Sequence, residues 1–219
     1  MRVAMVSLHT SPMASPGSAD AGGMNVVELN SALALAASGA QVDLLTRRDD
    51  PDLPEVAEPA PGVRVFNLTA GPERSIAKSE QEILIEPFAR ALGEWFAAQG
   101  EGVDLIHSHH WFSGVAALPV ARRAGVPHLQ SYHSVAAPVG AGLDAGEPPE
   151  SPGRPAGERL VARESDLIVA VSAAERETIL ARYAPPAGRI AIVRPGVDLT
   201  RFRPLANEEI GRASCRERV

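Results

Sequence analysis

Apolar runs of strand length alternate with amphipathic stretches of helix length along the chain. Segments 3–8, 42–46, 63–68, 104–108, 128–132, 167–171 and 190–193 read as strands. Most carry few polar breaks, the pattern of strands covered on both faces. Between them, 24–38, 78–99, 112–124, 158–163 and 173–183 have helical spacing. Gly39, Gly100 and Gly125 stand just past three of these helices, where a left-handed residue ends a helix at little steric cost. The alternation predicts an α/β fold: a doubly wound parallel sheet of Rossmann-like type. No internal repeat is evident.

Three loops are longer than a compact fold requires, which marks them as candidates for function. Loops 9–22 and 134–157 leave the carboxyl ends of strands, where ligands sit in open α/β sheets. Loop 47–62, rich in Pro, Asp and Glu, reads as a solvated excursion.

Composition narrows the class. The chain is 45% hydrophobic and 22% charged, within the ordinary globular range. No apolar run approaches the roughly 20 residues of a membrane-spanning helix, and the start shows no secretory leader pattern. A cytoplasmic protein is expected. The net charge of -6 argues against a nucleic-acid groove or an anionic-membrane surface, both of which need clustered positive charge. Cys215, the sole cysteine, has no intramolecular disulfide partner. Of 21 basic residues only Lys78 is lysine, so its retention in an arginine-rich chain draws notice. Residues 210–219, IGRASCRERV, resemble a translated sequencing adapter. They are expected to be foreign, with 205–209 as the start of a native continuation.

The sharpest local feature is Asp20-Ala21-Gly22-Gly23-Met24-Asn25 opening a helix directly after a strand and loop. Glycines at a helix start let backbone approach a ligand, and the free N–H groups favour an anion such as phosphate. Gly23-Met24 stands where a P-loop would need Lys-Ser/Thr, and no GxGxxG occurs. His107, His109 and His110 cluster at the end of a strand, but no Cys or HExxH spacing completes a ligand set, so no metal site is expected. His133 ends the next strand. Ser75-Ile76-Ala77-Lys78 matches SxxK, and Asn67-Leu68-Thr69 a glycosylation sequon, by chance alone.

Together, His9-Thr10-Ser11-Pro12, Pro16-Gly17, the 20–26 block, Asp104-Leu105-Ile106-His107-Ser108-His109 with Trp111, and Arg194-Pro195-Gly196-Val197-Asp198 resemble the amino-terminal half of retaining GT-B glycosyltransferases of family 4. Within it, the likeness is greatest to the D-inositol 3-phosphate glycosyltransferases of mycothiol biosynthesis. The resemblance spans 1–204 and implies the acceptor-side domain of a two-domain enzyme. The second, donor-binding domain is missing, and the fragment alone is expected to be inactive.

Residue by residue, the resemblance implies acceptor binding by His9, Asp20, Ala21, Gly22, Gly23, Met24, Asn25, Lys78 and Arg154. His110 stands where a tyrosine is usual and Ser134 where a threonine is usual, both at acceptor positions. Ser15, Pro16 and Gly23 lie where the donor is touched, and His133 where a catalytic histidine sits near the transferred sugar. The implied partners are a small sugar phosphate and a nucleotide sugar, UDP-linked N-acetylglucosamine by expectation, with no cofactor in this domain and room for a homodimer. A family 4 enzyme with another acceptor, and a non-catalytic domain binding a phosphorylated sugar, are the competing readings.

Overall fold

The computed structural model describes residues 1–14, 22–99, 101–138, 140–141, 146–199 and 202–204. Strands β1 (Arg2–Ser7), β2 (Gln41–Arg47), β3 (Val56–Ala60), β4 (Val63–Leu68), β5 (Leu105–His109), β6 (His128–Ser131), β7 (Leu167–Ala170) and β8 (Ile190–Ile192) form one sheet in the order β3-β4-β2-β1-β5-β6-β7-β8. Every pairing is parallel except β3 with β4. The helices are α1 (Gly23–Ala37), α2 (Ile85–Gln99), α3 (His110–Ala124), α4 (Arg154–Glu164) and α5 (Ala173–Tyr183).

Alternation along β1 explains why its run is apolar throughout. Ala4 and Val6 join Phe88, Leu92 and Phe112 in one core, while Val3 and Met5 join Ala32, Val42, Leu44 and Val65 in the other. Each face is thus sealed by helices, as a parallel sheet requires. In α2, Phe88, Leu92 and Trp95 fall at i, i+4 and i+7 and form its buried stripe. A third cluster, with Tyr132, Val161, Ile168 and Ile179, packs α4 and α5 against the β7 side. Gly39 and Gly125 adopt φ of 89° and 69°, the left-handed stops that the sequence anticipates.

Three expectations are corrected. Residues 47–62 are not merely a solvated excursion: they contain β3, an antiparallel edge strand whose exposed side chains and Pro59 hide it from pattern reading. The helix expected over 78–99 opens as a 3₁₀ segment, Lys78–Leu84, and becomes α-helical only at Ile85. The helix expected at 158–163 begins four residues earlier, because Pro155 sits in its first turn, where no intrahelical N–H bond is lost.

The chain runs from β1 outward through β2 and β4, then returns to the opposite side of β1 as β5. Strand order therefore reverses between β1 and β5. Such a switch point opens a crevice at the carboxyl ends of the strands, here bordered by His9, His109 and the segment after β6.

Candidate functional site

Imidazoles line that edge. His107 and His109 share one face of β5, with ring centres 4.3 Å apart. His107 Nε2 lies 2.9 Å from Ser131 Oγ of β6, and His109 Nδ1 lies 2.8 Å from His133 Nε2. Both turns that leave these strands are strained: His110 has φ 67° and His133 φ 62°, in the left-handed region that costs a non-glycine residue roughly 1–2 kcal/mol. Strain of this kind persists where the surroundings over-determine the backbone, and it collects at functional sites. His9, just past β1, sets its ring 4.4 Å from His110. Its carbonyl accepts a 3.2 Å bond from Gln81 Nε2, which ties the 3₁₀ segment to the edge of the sheet.

These rings are neutral at pH 7. Burial pulls His133 down to about 4, and burial, with the His133 and His128 rings close by, brings His107 to about 3. His9 falls to about 3 through burial first, then the Lys78 cation, the neighbouring His133 ring and Arg154. His109 and His110 lie well below the ordinary histidine value, again from burial first. Both ring nitrogens of His110, and Nε2 of His109, are buried without a hydrogen-bond partner among the described residues. The cluster therefore offers neutral donors and acceptors rather than charge. Among the described residues no group of three His, Cys, Asp or Glu side chains could hold a metal ion.

The charge lies beside it. Lys78 opens the 3₁₀ segment and Arg154 opens α4. Although 76 positions apart, they meet at one carboxylate: Lys78 Nζ is 3.6 Å from Glu147 Oε1, and Arg154 Nη1 3.6 Å from Glu147 Oε2. Arg154 is fully buried and held on every side. Its Nε donates to Glu158 Oε1 at 2.8 Å, Nη1 to Glu150, and Nη2 to Ser134 Oγ and O at 2.9 and 3.1 Å. Burial alone would lower the guanidinium pKa, but Glu158 and Glu150 outweigh it and raise the value. Glu158 is in turn fixed by the Ala136 N–H, at 3.1 and 3.2 Å, and by the Tyr183 hydroxyl. Glu150 accepts a 2.6 Å bond from Trp111 Nε1 and lies 3.8 Å from His110 Nε2.

At the start of α1, Gly22 and Gly23 are exposed, no atom of the described residues lies within 4 Å of where a side chain would begin on either, and the first turn carries no acidic residue. The N–H groups and the dipole at this terminus favour an anion. Met24 is half-buried. Asn25 is buried and builds the turn: its Nδ2 donates to Thr10 Oγ1 at 3.0 Å and to the Ser11 carbonyl, while its Oδ1 accepts from Gly22 N at 3.1 Å. Its amide is thus committed within the chain. Ser15, Pro16, Asp20 and Ala21 lie outside the described residues. His133 and Ser134 border a cleft of about 260 Å³ shared with Val171, Glu175 and Arg182.

Of the residues singled out from sequence, the fold brings His9, Lys78, His110, His133, Ser134 and Arg154 into one neighbourhood. Sequence reading missed the three carboxylates around Arg154. Glu150, Arg154 and Glu158 have i,i+4 spacing, a signal of helical ion pairing that the surrounding glycines and prolines obscured.

Comparison with known proteins agrees with this architecture. The family model for a glycosyl transferase 4-like domain matches residues 22–196. A D-inositol 3-phosphate glycosyltransferase of Nocardia farcinica is 40% identical over 97% of the chain and 48% of its own length, and one of Kineococcus radiotolerans is 40% identical over 100% and 49%. Sucrose-phosphate synthase of Thermosynechococcus elongatus superposes with a TM-score of 0.82 at 28% identity, covering 97% of this chain and 52% of that one. The chain spans about half the length of these relatives. By the match over 22–196, it belongs to the glycosyl transferase 4-like family, in the Rossmann-like first domain of the GT-B fold.

Proposed function

We propose that this chain is the acceptor-side half of a retaining glycosyltransferase that moves a sugar from a nucleotide diphosphate donor to a sugar-like phosphate. The observation that carries the reading is the convergence of Lys78 and Arg154, from two distant elements, on one anionic group beside His9 and His110. Lys78 brings a point charge from one side, and the fixed guanidinium of Arg154 turns its Nη1 to the same anion from the other. The relatives named for inositol 3-phosphate support that acceptor, and N-acetylglucosamine on UDP is the donor we assign with it.

In the reaction the bond from the sugar's anomeric carbon to the diphosphate breaks, and a bond to an acceptor hydroxyl oxygen forms. The nucleoside diphosphate leaves, the hydroxyl proton is released, and the anomeric configuration is kept. The open α1 terminus at Gly22-Gly23 stabilises negative charge on the donor side, and His133 orients the transferred sugar. Residues 1–204 form the domain, a second domain beyond 205–209 holds most of the donor, and the fragment alone does not turn over. Residues 210–219 are foreign in this reading, and resequencing the locus from clean genomic DNA tests that.

Calorimetric titration of the chain with inositol 3-phosphate tests the acceptor assignment. Lys78→Ala is expected to weaken binding by about 1.5–3 kcal/mol, the range for a hydrogen bond to a charged group. Unchanged affinity would remove Lys78 from the site. A second reading, favoured by His110 and Ser134 in place of the usual tyrosine and threonine, keeps the chemistry with a different sugar phosphate as acceptor. Tighter binding of another phosphorylated sugar than of inositol 3-phosphate would select it.

A further inference from the structure

The group that Lys78 and Arg154 grip is part of the chain itself. We propose that Glu147 is a specificity-determining residue: an internal ligand of the anion seat that an incoming phosphate must displace. The inference rests on the acceptor reading above and deepens it.

Glu147 differs from its two acidic neighbours in how it is held. Glu158 is fully buried and Glu150 nearly so, and each has short bonds to N–H or O–H donors of the frame. The Glu147 side chain is 48% exposed and meets both cations at 3.6 Å, beyond the 2.7–2.9 Å of a charge-assisted hydrogen bond. The Ser134 hydroxyl is its further partner. Burial would raise its pKa, but Lys78, Ser134 and Arg154 outweigh that and lower it, so the group is a carboxylate at neutral pH. Its carbonyl is pinned by a 2.8 Å bond from Ala137 N. Departure therefore needs only rotation of the side chain, with the backbone in place.

Two cations, Lys78 and Arg154, face three carboxylates, Glu147, Glu150 and Glu158, so the occupied seat carries one net negative charge. A neutral sugar gains nothing by displacing Glu147. A singly charged carboxylate exchanges like for like. A phosphate monoester, carrying about -1.5 to -2 at pH 7 with three acceptor oxygens, replaces one charge with more. Glu147 thereby makes the seat select phosphomonoesters over weaker anions.

The test titrates the chain with inorganic phosphate and, separately, with acetate, comparing wild type, Glu147→Gln and Glu147→Ala, with thermal melts to establish that each is folded. Both variants are expected to bind phosphate at least tenfold more tightly than wild type and to gain measurable acetate binding. Adding Lys78→Ala should abolish the gain. Phosphate binding equal in wild type and both variants overturns the role of Glu147 and leaves the seat intact. Absence of phosphate binding in every variant overturns the seat, and the inference with it.

Discussion

His109 Nδ1 and His133 Nε2 lie 2.8 Å apart, so one proton serves two rings and their tautomers are linked. His133 makes this contact from a left-handed backbone, φ 62°, which separates two contributions that a single substitution would merge. His133→Ala loses the bond and keeps the strain, whereas His133→Gly loses the bond and relieves it. Glycine pays for that relief with unfolded-state entropy, so His133→Gly is expected to exceed His133→Ala in stability by only about 0.5–1 kcal/mol in urea titrations. Alanine equal to or better than glycine would mean the backbone there is unstrained. If the proposed function holds, both variants should lower the turnover of the full-length protein alike, because both remove the imidazole.

Acid stability should be governed by the histidines. All six have folded-state pKa values below the ordinary 6.5, with His9 and His107 at about 3 and His128 and His133 at about 4. The unfolded chain binds protons below pH 6.5 while the folded chain does not, so stability rises with pH in that window. Their contribution is complete above pH 6.5 and is lost progressively toward pH 3–4. Melting midpoints should therefore drop steeply between pH 6.5 and 4, with uptake of several protons on unfolding. A flat profile over this range would contradict neutral, buried imidazoles.

Glu28 should produce the opposite slope. Its carboxyl is fully buried on α1, and among the described residues neither oxygen has a partner in hydrogen-bond geometry; the nearby Ser7 hydroxyl donates to the Thr10 carbonyl at 2.9 Å. Burial raises its pKa to about 8, against a smaller lowering from Ser7. Between pH 4.5 and 8 the folded state keeps a proton that the unfolded state has released, so stability falls as pH rises. Above pH 7 the histidines no longer titrate and this decline stands alone. Glu28→Gln should abolish the loss between pH 7 and 8, as read by denaturant midpoints at fixed ionic strength. A variant that declines in parallel with wild type would refute it.

How far the sequence specifies all this depends on what each feature rests on. The strands of the central sheet are legible because both faces are apolar, and His9, His133 and the Gly22-Gly23 turn because they end strands or begin a helix. β3 escapes notice because an edge strand buries too little to impose a period of two. Glu147 and Glu150 sit in a segment of glycines and prolines, where acidic residues ordinarily face solvent, and only the tertiary fold brings Lys78 to Glu147 from 69 positions away. The helical start at Arg154 is hidden by the same composition, although Pro155 is compatible with a first turn. Pairing across such distances leaves no local pattern.

Glu158 holds the middle of the site together, accepting from Arg154, the Ala136 N–H and the Tyr183 hydroxyl while fully buried. Glu158→Ala leaves a buried guanidinium short of its most enclosed counter-ion. A loss of about 3 kcal/mol is expected, at the low end for breaking a buried pair because Glu150 and Glu147 remain. Chemical denaturation measures it. A loss under 1 kcal/mol would show that the carboxylate contributes little beyond what its desolvation costs.

Packing beneath the site sets the last expectation. Gly157 in α4 lies so close to α3 that a Cβ there would stand 2.3 Å from Trp111 Cε3 and 2.6 Å from Cζ3. The indole has little freedom to yield, since its Nε1 is bonded to Glu150, which is bonded to Arg154. Gly157→Ala should therefore push the two helices apart, costing about 1–3 kcal/mol as an overpacked core. Because the displaced ring anchors Glu150 beside Arg154, affinity for phosphate at the proposed anion seat should fall as well. Gly196→Ala is the control: no atom of the described residues lies within 4 Å of its would-be Cβ and its φ is not positive, so both properties should stay near wild type. Combining Gly157→Ala with Trp111→Phe makes room for the methyl but removes the bond to Glu150. Stability should then recover while phosphate binding stays weak, which distinguishes crowding from loss of the seat's anchor. Recovery of both together would mean that Trp111 serves packing alone.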